Sequence, residues 1–262
     1  MSQASSEQSA TPERDPHGEP HHDPTKHRLF FRVFRGTLRS IMRLLFRAYA
    51  KYPERVPASG GVLLAANHQS FIDPPLVGGF VRHRECHFLA KAGLFNNKWF
   101  GWIITGLNSV PIQEGTGDSG AIKEILRRLD SGSAVVLFPE GSRTIDGAMH
   151  QFKRGVSLMV KRSSCPVVPV AVEGVHDAWP RGGKIKPFRA RIAVMYGHPI
   201  PHDELMKDGP DAALRRLERE IDAMRMELRK EMREKSGGKY PLKGLGDKAF
   251  VSKKDQADAP SA

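Results

Sequence analysis

The chain has 262 residues, 39% of them hydrophobic and 27% charged, which indicates one globular domain with tails. Its formal net charge of +12 and pI of about 9.9 indicate an anionic partner: nucleic acid, acidic lipid or a phosphorylated substrate. We expect no disulfide framework from Cys86 and Cys165 alone, no secretory signal and no membrane-spanning helix, and a reducing compartment is the simpler interpretation.

Both ends of the chain have the composition of tails. Residues 1–27 are poor in large apolar side chains, so they cannot bury enough surface to offset the entropy of ordering, and we predict a disordered tail. His17, His21 and His22 lie in this tail without a second cluster of ligands, so we do not assign a metal site to them. Residues 236–262 are interpreted as a flexible basic tail.

Residues 28–51 show a basic amphipathic pattern. Cations recur at every third or fourth position: Arg28, Arg32, Arg35, Arg39, Arg43, Arg47 and Lys51. At about 100° per residue these form one stripe on a helix, and aromatic and aliphatic side chains occupy much of the rest. The pattern predicts a helix that lies in the headgroup layer of a membrane, where each cation contributes about 1 kcal/mol. The alternative is a helix packed on the domain with its arginines in solvent.

Residues 52–235 alternate between short apolar runs and helical patterns. The runs predict strands that begin at Gly61, Cys86, Ser109, Ser133, Val167 and Arg191. Helices are predicted after Asp118, from Phe152, and along a packing stripe from Leu214 to Leu228. Strands that alternate with helices predict an α/β fold, a mostly parallel sheet covered by helices on both faces.

The motif NHQSFID follows the first predicted strand directly and contains His68 and Asp73. The end of such a strand delivers side chains to the carboxyl edge of the sheet, where α/β proteins place their sites. A histidine that takes a proton becomes cationic, and a nearby carboxylate orients the ring and stabilises that charge. The two residues therefore have the composition of a base and its orienting partner. A histidine that only caps backbone groups at the strand end is the alternative.

A second polar motif, LFPEGSRT, follows another apolar strand. Gly141 permits a tight turn, and Arg143 offers a fork of donors that matches a phosphate. Shortly afterwards Lys153 and Arg154 stand near a predicted helix start, where the helix dipole also favours anions. These clusters predict an anion site rather than an ordinary solvated turn.

Four sequence blocks resemble the glycerophosphate and lysophosphatidic acid acyltransferase family. NHQSFID resembles its NHxxxxD motif, LFPEGSRT its FPEGTRS block, HFLAKAGLF its F-x-A-K-x-E-L element, and CPVVPVAV its VPIVPV-type block. The blocks occur in the family's order across roughly residues 60–175. A family arginine is missing, because Gln113 or Glu114 stands where it is expected, and this leaves the acceptor open.

The resemblance implies transfer of a fatty acyl group from acyl-CoA or acyl carrier protein to the free hydroxyl of 1-acyl-glycerol-3-phosphate, a step of phospholipid biosynthesis that gives phosphatidic acid. It assigns the general base to His68 and its orienting partner to Asp73. The residues expected at the substrate site are Lys91, Glu140, Gly141, Arg143 and Lys153. No metal and no bound cofactor are expected, and the thioester is a co-substrate. The expected location is peripheral or monotopic, on the cytoplasmic face of an anionic membrane.

Three other functions remain as alternatives. The acceptor is a different lysolipid or an amino-acid lipid in the first. The second is a nucleic-acid-binding protein, which the charge suggests, but the cations concentrate on one aromatic-bearing helix and in the tails, and no nucleic-acid motif occurs, so we expect no nucleic-acid partner. The third is a hydrolase with Ser70 or Ser142 as nucleophile, although the chain has no G-x-S-x-G motif. We interpret Cys165 as a buried structural thiol.

Overall fold

A central seven-stranded sheet organises the part of the chain that the computed structural model describes, which comprises residues 24–105, 108–112 and 118–252. Its strands are β1 (Tyr49–Lys51), β2 (Val62–Ala66), β3 (Cys86–Lys91), β4 (Ser109–Ile112), β5 (Ala134–Leu137), β6 (Val167–Glu173) and β7 (Ala193–Tyr196). The spatial order is β1-β7-β6-β2-β5-β3-β4. All neighbouring pairs are parallel except β6 and β7. The prediction of a mostly parallel α/β sheet is confirmed.

Helices cover both faces of this sheet. They are α1 (Pro24–Phe46), α2 (Asp73–Phe80), α3 (Lys98–Thr105), α4 (Asp118–Asp130), α5 (Gly155–Ser163), α6 (Val175–Ala178), α7 (His202–Met206) and α8 (Pro210–Ser236). Short 3₁₀ turns occupy Pro53–Arg55, Ala92–Asn96 and Leu245–Asp247. The helices α1 and α2 pack on one face, and α4, α5, α7 and α8 pack on the other.

The strand β2 shows why the sheet is covered on both faces. Val62, Leu64 and Ala66 belong to the core on one face, while Leu63 and Ala65 belong to the core on the other. Successive side chains point to opposite faces of a strand, so a continuous apolar run buries all of them only between two helical layers. All five residues of β2 are fully buried, and the strand therefore holds a central position.

The predicted helix 28–51 has different bounds in the structure. Helix α1 ends at Phe46, and Arg47 has a left-handed backbone with φ of 51°. Tyr49 then pairs with Ala193 as the first residue of β1, and the Lys51 ammonium contacts the Glu231 carboxylate at 2.7 Å. The cationic spacing continues through these positions, but sheet pairing ends the helix.

The second half of α1 packs on the domain, but two of its arginines bond to backbone carbonyls and do not lie in solvent as the alternative interpretation had them. Met42 and Phe46 are buried in the core, and Arg39 donates from its guanidinium to the Gly79 carbonyl at 3.0 Å. Arg35 donates likewise to the carbonyl of Arg84. The other face of α1 stays exposed and carries Arg32, Val33, Arg43 and Leu44. The predicted tail 1–27 lies outside the described residues up to position 23.

The prediction of a flexible tail from residue 236 is wrong as far as residue 252. Three arginines one turn apart on α8, Arg225, Arg229 and Arg233, donate to backbone carbonyls of this segment. The accepting carbonyls belong to Pro241, Leu242, Gly246 and Lys248. Arg225 and Arg229 also contact the buried Glu173 at the end of β6. These buried charges fix residues 237–252 on the domain, and residues 253–262 lie outside the described part.

We predict that Arg225→Met lowers the free energy of unfolding by about 3–5 kcal/mol, because it leaves the buried carboxylate of Asp222 without a counter-ion and that of Glu173 with Arg229 alone. Urea denaturation measures this loss. Arg219→Met, an exposed position on the same helix, is the matched control and should leave the unfolding free energy nearly unchanged. Equal stability of the two variants would contradict the assigned role.

Candidate active site

The two predicted polar motifs meet at one edge of the sheet. Strands β2 and β5 are parallel neighbours, with Ala65 opposite Leu137, and each motif begins just beyond these residues. Strand β3 is parallel to β5 on its other side, and the backbone of Lys91 ends β3 at the same edge. The side chain of Lys91 lies outside the described part of the chain, so its role stays a prediction.

His68 and Asp73 form a direct pair. The Nδ1 atom of His68 lies 2.8 Å from Oδ2 of Asp73, whose side chain is fully buried. The same oxygen accepts the backbone N–H groups of Gln69 and Ser70, at 2.5 and 2.7 Å. Asp73 is also the first residue of α2, where the helix dipole favours a carboxylate. One carboxylate oxygen therefore holds both the loop and the imidazole ring.

The ring of His68 is fixed in orientation. It stacks on Phe138, with ring centroids 4.1 Å apart and planes 19° from parallel. An ionised carboxylate only accepts hydrogen bonds, so Nδ1 carries a proton toward Asp73. The neutral ring then has its lone pair on Nε2, which is the atom that can take a proton from a substrate. The sequence contains Phe138 in the second motif but gives no indication of this stacking.

The carboxylate of Glu140 accepts backbone N–H groups from two loops, one of which carries His68. Its Oε1 accepts the backbone N–H of His68 at 2.8 Å, and its Oε2 accepts that of His150 at 3.0 Å. The carbonyl of His68 in turn accepts the N–H of Thr144 at 2.8 Å. Burial raises the pKa of Glu140 to about 8. The geometry makes Glu140 a positioning residue, and a contact with substrate stays a prediction.

Two amides within the first motif tie it to the rest of the domain. Asn67 extends the pairing of β2 with β6, because its side chain donates to the carbonyl of Val172 at 3.0 Å and accepts its N–H at 2.8 Å. Gln69 is buried, donates to the carbonyl of Gly147 at 3.2 Å and accepts the N–H of Val175 at 3.1 Å. The sequence analysis missed both roles, since their partners lie far along the chain.

The cationic residues of the predicted site lie in the second motif and just after it. Gly141 has φ of 69°, and a Cβ there would lie 2.4 Å from Cε of Lys153, so Lys153 folds over a turn that requires glycine. The guanidinium of Arg143 stacks over the ring of Phe71, with its carbon 3.5 Å from the ring centroid. Burial and the neighbouring Arg181 lower the pKa of Arg143. No carboxylate forms an ion pair with Arg143 among the described residues, which leaves its charge for an anion.

Ser70 and Cys165 are buried, whereas Ser142 is exposed. Ser70 is fully buried, and its hydroxyl donates to the carbonyl of Trp179 at 2.8 Å. Cys165 is buried, and burial raises the pKa of its thiol. Ser142 is exposed but follows Gly141 on the turn. Within residues 24–105, 108–112 and 118–252, no group of three or more His, Cys, Asp or Glu side chains is arranged to hold a metal ion.

The known proteins that this chain resembles are acyltransferases. Residues 48–173 match the family model described as Acyltransferase. The 1-acyl-sn-glycerol-3-phosphate acyltransferase of Bacillus subtilis is 28% identical over 147 residues, which is 56% of this chain and 70% of that protein. The enzyme of the same name from Pseudomonas aeruginosa is 30% identical over 166 residues, 61% of this chain and 60% of that protein.

A solved structure shares the fold. The crystal structure of the 1-acyl-sn-glycerophosphate (LPA) acyltransferase PlsC from Thermotoga maritima aligns with a TM-score of 0.58 and 25% sequence identity, over 74% of this chain and 81% of that chain. The match to the family model and the shared fold define the class: residues 48–173 form a domain of the acyltransferase family. It is an O-acyltransferase of the type that these relatives represent.

We predict a pH-dependent stability contribution from Glu140. Its pKa is about 8 in the folded state against an ordinary value of 4.5, so the folded chain holds this proton more tightly than the unfolded chain. That contribution is fully present below about pH 4.5 and is lost as the pH rises through about 8.

Glu140→Gln is neutral at every pH, so the free energy of unfolding of the parent protein relative to this variant should fall over that range, as measured by urea denaturation at several pH values. Glu54→Gln removes an exposed carboxylate and is the matched control. A difference between parent and Glu140→Gln that stays constant with pH would be inconsistent with the assignment.

Proposed function

We propose that the chain transfers a fatty acyl group from acyl-CoA or acyl carrier protein to the free hydroxyl of 1-acyl-glycerol-3-phosphate, giving phosphatidic acid. The observation that carries the proposal is the 2.8 Å contact between Nδ1 of His68 and Oδ2 of Asp73 at the carboxyl edge of the sheet. The names of the relatives from Bacillus subtilis and Pseudomonas aeruginosa support this acceptor.

In the proposed mechanism His68 is the general base. Its Nε2 takes the proton of the acceptor hydroxyl, and the resulting oxygen attacks the thioester carbonyl carbon. The new C–O bond forms, the C–S bond breaks, and the leaving thiolate takes the proton back from the imidazolium. The fully buried Asp73 stabilises the imidazolium while it exists. No covalent acyl-enzyme is required.

The proposed acceptor site uses Arg143 of the second motif and Lys153, which follows it in the sequence. Arg143 is half-buried over Phe71 and has the fork of donors that pairs with two phosphate oxygens. Lys153 lies over Gly141 in the same turn and supplies a second charge. Gln113 and Glu114, at the position of the family's arginine, lie outside the described residues. Neither residue carries a positive charge. We therefore expect Arg143 and Lys153 to neutralise the phosphate, with Lys91 as a further candidate.

We also propose that the enzyme works on an anionic membrane surface, at its cytoplasmic face, as a peripheral or monotopic protein. Across residues 24–105, 108–112 and 118–252, no helix combines the length and the hydropathy needed to cross a bilayer. The exposed face of α1 carries Arg32, Arg43 and Leu44, whereas Arg35 and Arg39 are engaged with backbone carbonyls of the domain. The exposed arginines are those that suit lipid phosphates.

We predict that His68→Ala lowers kcat by about 10²- to 10⁴-fold, because general base catalysis is lost. The fold should remain, since Asp73 keeps its bonds to the backbone N–H groups of Gln69 and Ser70. Acyl transfer from both thioesters to lysophosphatidic acid is the assay. Asp73→Asn should also lose most activity, because an amide accepts the same bonds but does not stabilise the imidazolium. Parent-like turnover by His68→Ala would refute the mechanism.

We predict that Arg143→Lys raises the KM for lysophosphatidic acid and leaves the thioester KM nearly unchanged. A lysine keeps the charge but loses the bidentate fork and the planar stacking on Phe71. Steady-state kinetics with each substrate varied in turn separates the two constants. Arg181→Lys, at the neighbouring guanidinium, is the matched control. If lysophosphatidic acid is not acylated while another lysolipid is, the acceptor assignment is replaced by that alternative.

A further inference from the structure

Helix α3 exposes an unusual amount of apolar surface. Trp99 is 82% exposed, Trp102 55% and Ile103 37%. Tryptophan is normally well covered in a folded domain, and contiguous exposed apolar residues mark interaction surfaces. The basic amphipathic pattern of residues 28–51 does not include α3. This surface therefore requires a separate explanation.

The exposed face of α1 adjoins this surface. Val33, Ile41 and Leu44 are 60%, 44% and 71% exposed, and their spacing places them on one side of the helix. The rings of Phe34 in α1 and Trp102 in α3 meet edge to face, with centroids 5.4 Å apart and planes at 87°. We name the six exposed residues Val33, Ile41, Leu44, Trp99, Trp102 and Ile103 the docking face.

The charges beside the docking face select its partner. Arg32, Arg43 and Arg47 at α1 and Lys98 in α3 are exposed, and neither helix contains an acidic residue. An apolar face bordered by cations complements an anionic lipid surface, where aromatic rings enter the headgroup region and cations contact phosphates. A second copy of this chain would bring cation against cation across the same face. The charges therefore favour lipid over self-association.

The position of α3 connects this surface with the active site. Strand β3 ends at Lys91, at the sheet edge that carries the His68 loop, and only the turn Ala92–Asn96 and Asn97 separate it from the start of α3. Six residues thus lie between the strand end at this edge and the helix, so a short stretch of chain connects the docking face to the edge that carries the site.

We propose that α3, with Trp99 and Trp102, inserts into the headgroup region of an anionic bilayer together with the exposed face of α1, and that this contact sets the active site at the lipid surface. The inference rests on the proposed function, because a lysolipid acceptor with a long acyl chain resides in a membrane. It differs from attachment by α1 alone in assigning part of the binding energy to α3.

Flotation of the full chain with vesicles of phosphatidylcholine and phosphatidylglycerol tests the proposal. Trp99→Glu and Leu44→Glu should each weaken vesicle binding by about tenfold, since each withdraws a large apolar side chain from the lipid and adds a repelled charge. Quenching of tryptophan fluorescence by brominated lipids should occur in the parent protein and decrease in Trp99→Glu. Leu158→Glu, at an exposed leucine of α5 in the opposite helical layer, is the matched control and should bind like the parent.

Two results would overturn the proposal. One is flotation and fluorescence quenching of Trp99→Glu at the level of the parent protein. The other is a parent protein that is dimeric without lipid and that Trp99→Glu converts to a monomer. The function is tested separately, by acyl transfer from the parent to a short-chain, monomeric lysophosphatidic acid without vesicles. Transfer there supports the function whatever the flotation shows. Vesicle binding without any transfer overturns the function and leaves the docking face in place.

Discussion

The carboxylate of Asp73 is the interaction on which the site depends. A single oxygen, Oδ2, accepts bonds from the ring of His68 and from the backbone N–H groups of Gln69 and Ser70. The burial of this group is tolerable because three donors are directed at Oδ2 and because α2 begins at the same residue. The turn, the helix start and the orientation of the ring therefore share one carboxylate oxygen.

The second motif supports this arrangement from the neighbouring strand. Phe138 lies against the His68 ring, and Glu140 and Thr144 bond its backbone from both sides. Because β2 and β5 are adjacent and parallel, the loops that carry the two motifs begin at the same edge of the sheet, although they lie far apart in sequence. The His68 ring and its backbone are thus held from several sides, while the cations Arg143 and Lys153 lie on the more exposed side of the same loop.

The strands and the proposed base were predictable because their causes are local. Apolar runs of β2 and β6 have the length of buried strands, and a polar motif after such a run lies at the carboxyl edge of the sheet. Strand β1 was not predictable, because residues 47–51 continue the arginine spacing of α1 and only pairing with β7 ends the helix. In residues 237–252 the apolar side chains of Leu242, Leu245 and Val251 are exposed, and the order of the segment comes mainly from arginines on α8. Likewise Gln69 has partners at Gly147 and Val175, which no spacing within the first motif reveals.

The buried arginines of α8 have a consequence for the order in which the chain folds during synthesis. The proposed active-site residues all precede Arg154, and Glu173 ends the central strand β6 with a carboxylate that is buried in the finished domain. Its counter-ions, Arg225 and Arg229, emerge only later, and the segment that covers them ends near residue 252. A nascent chain that ends between these points carries every proposed active-site residue but cannot yet bury the end of its central strand at low cost. The lasting native arrangement is therefore reached only when the chain as far as about residue 252 has left the ribosome.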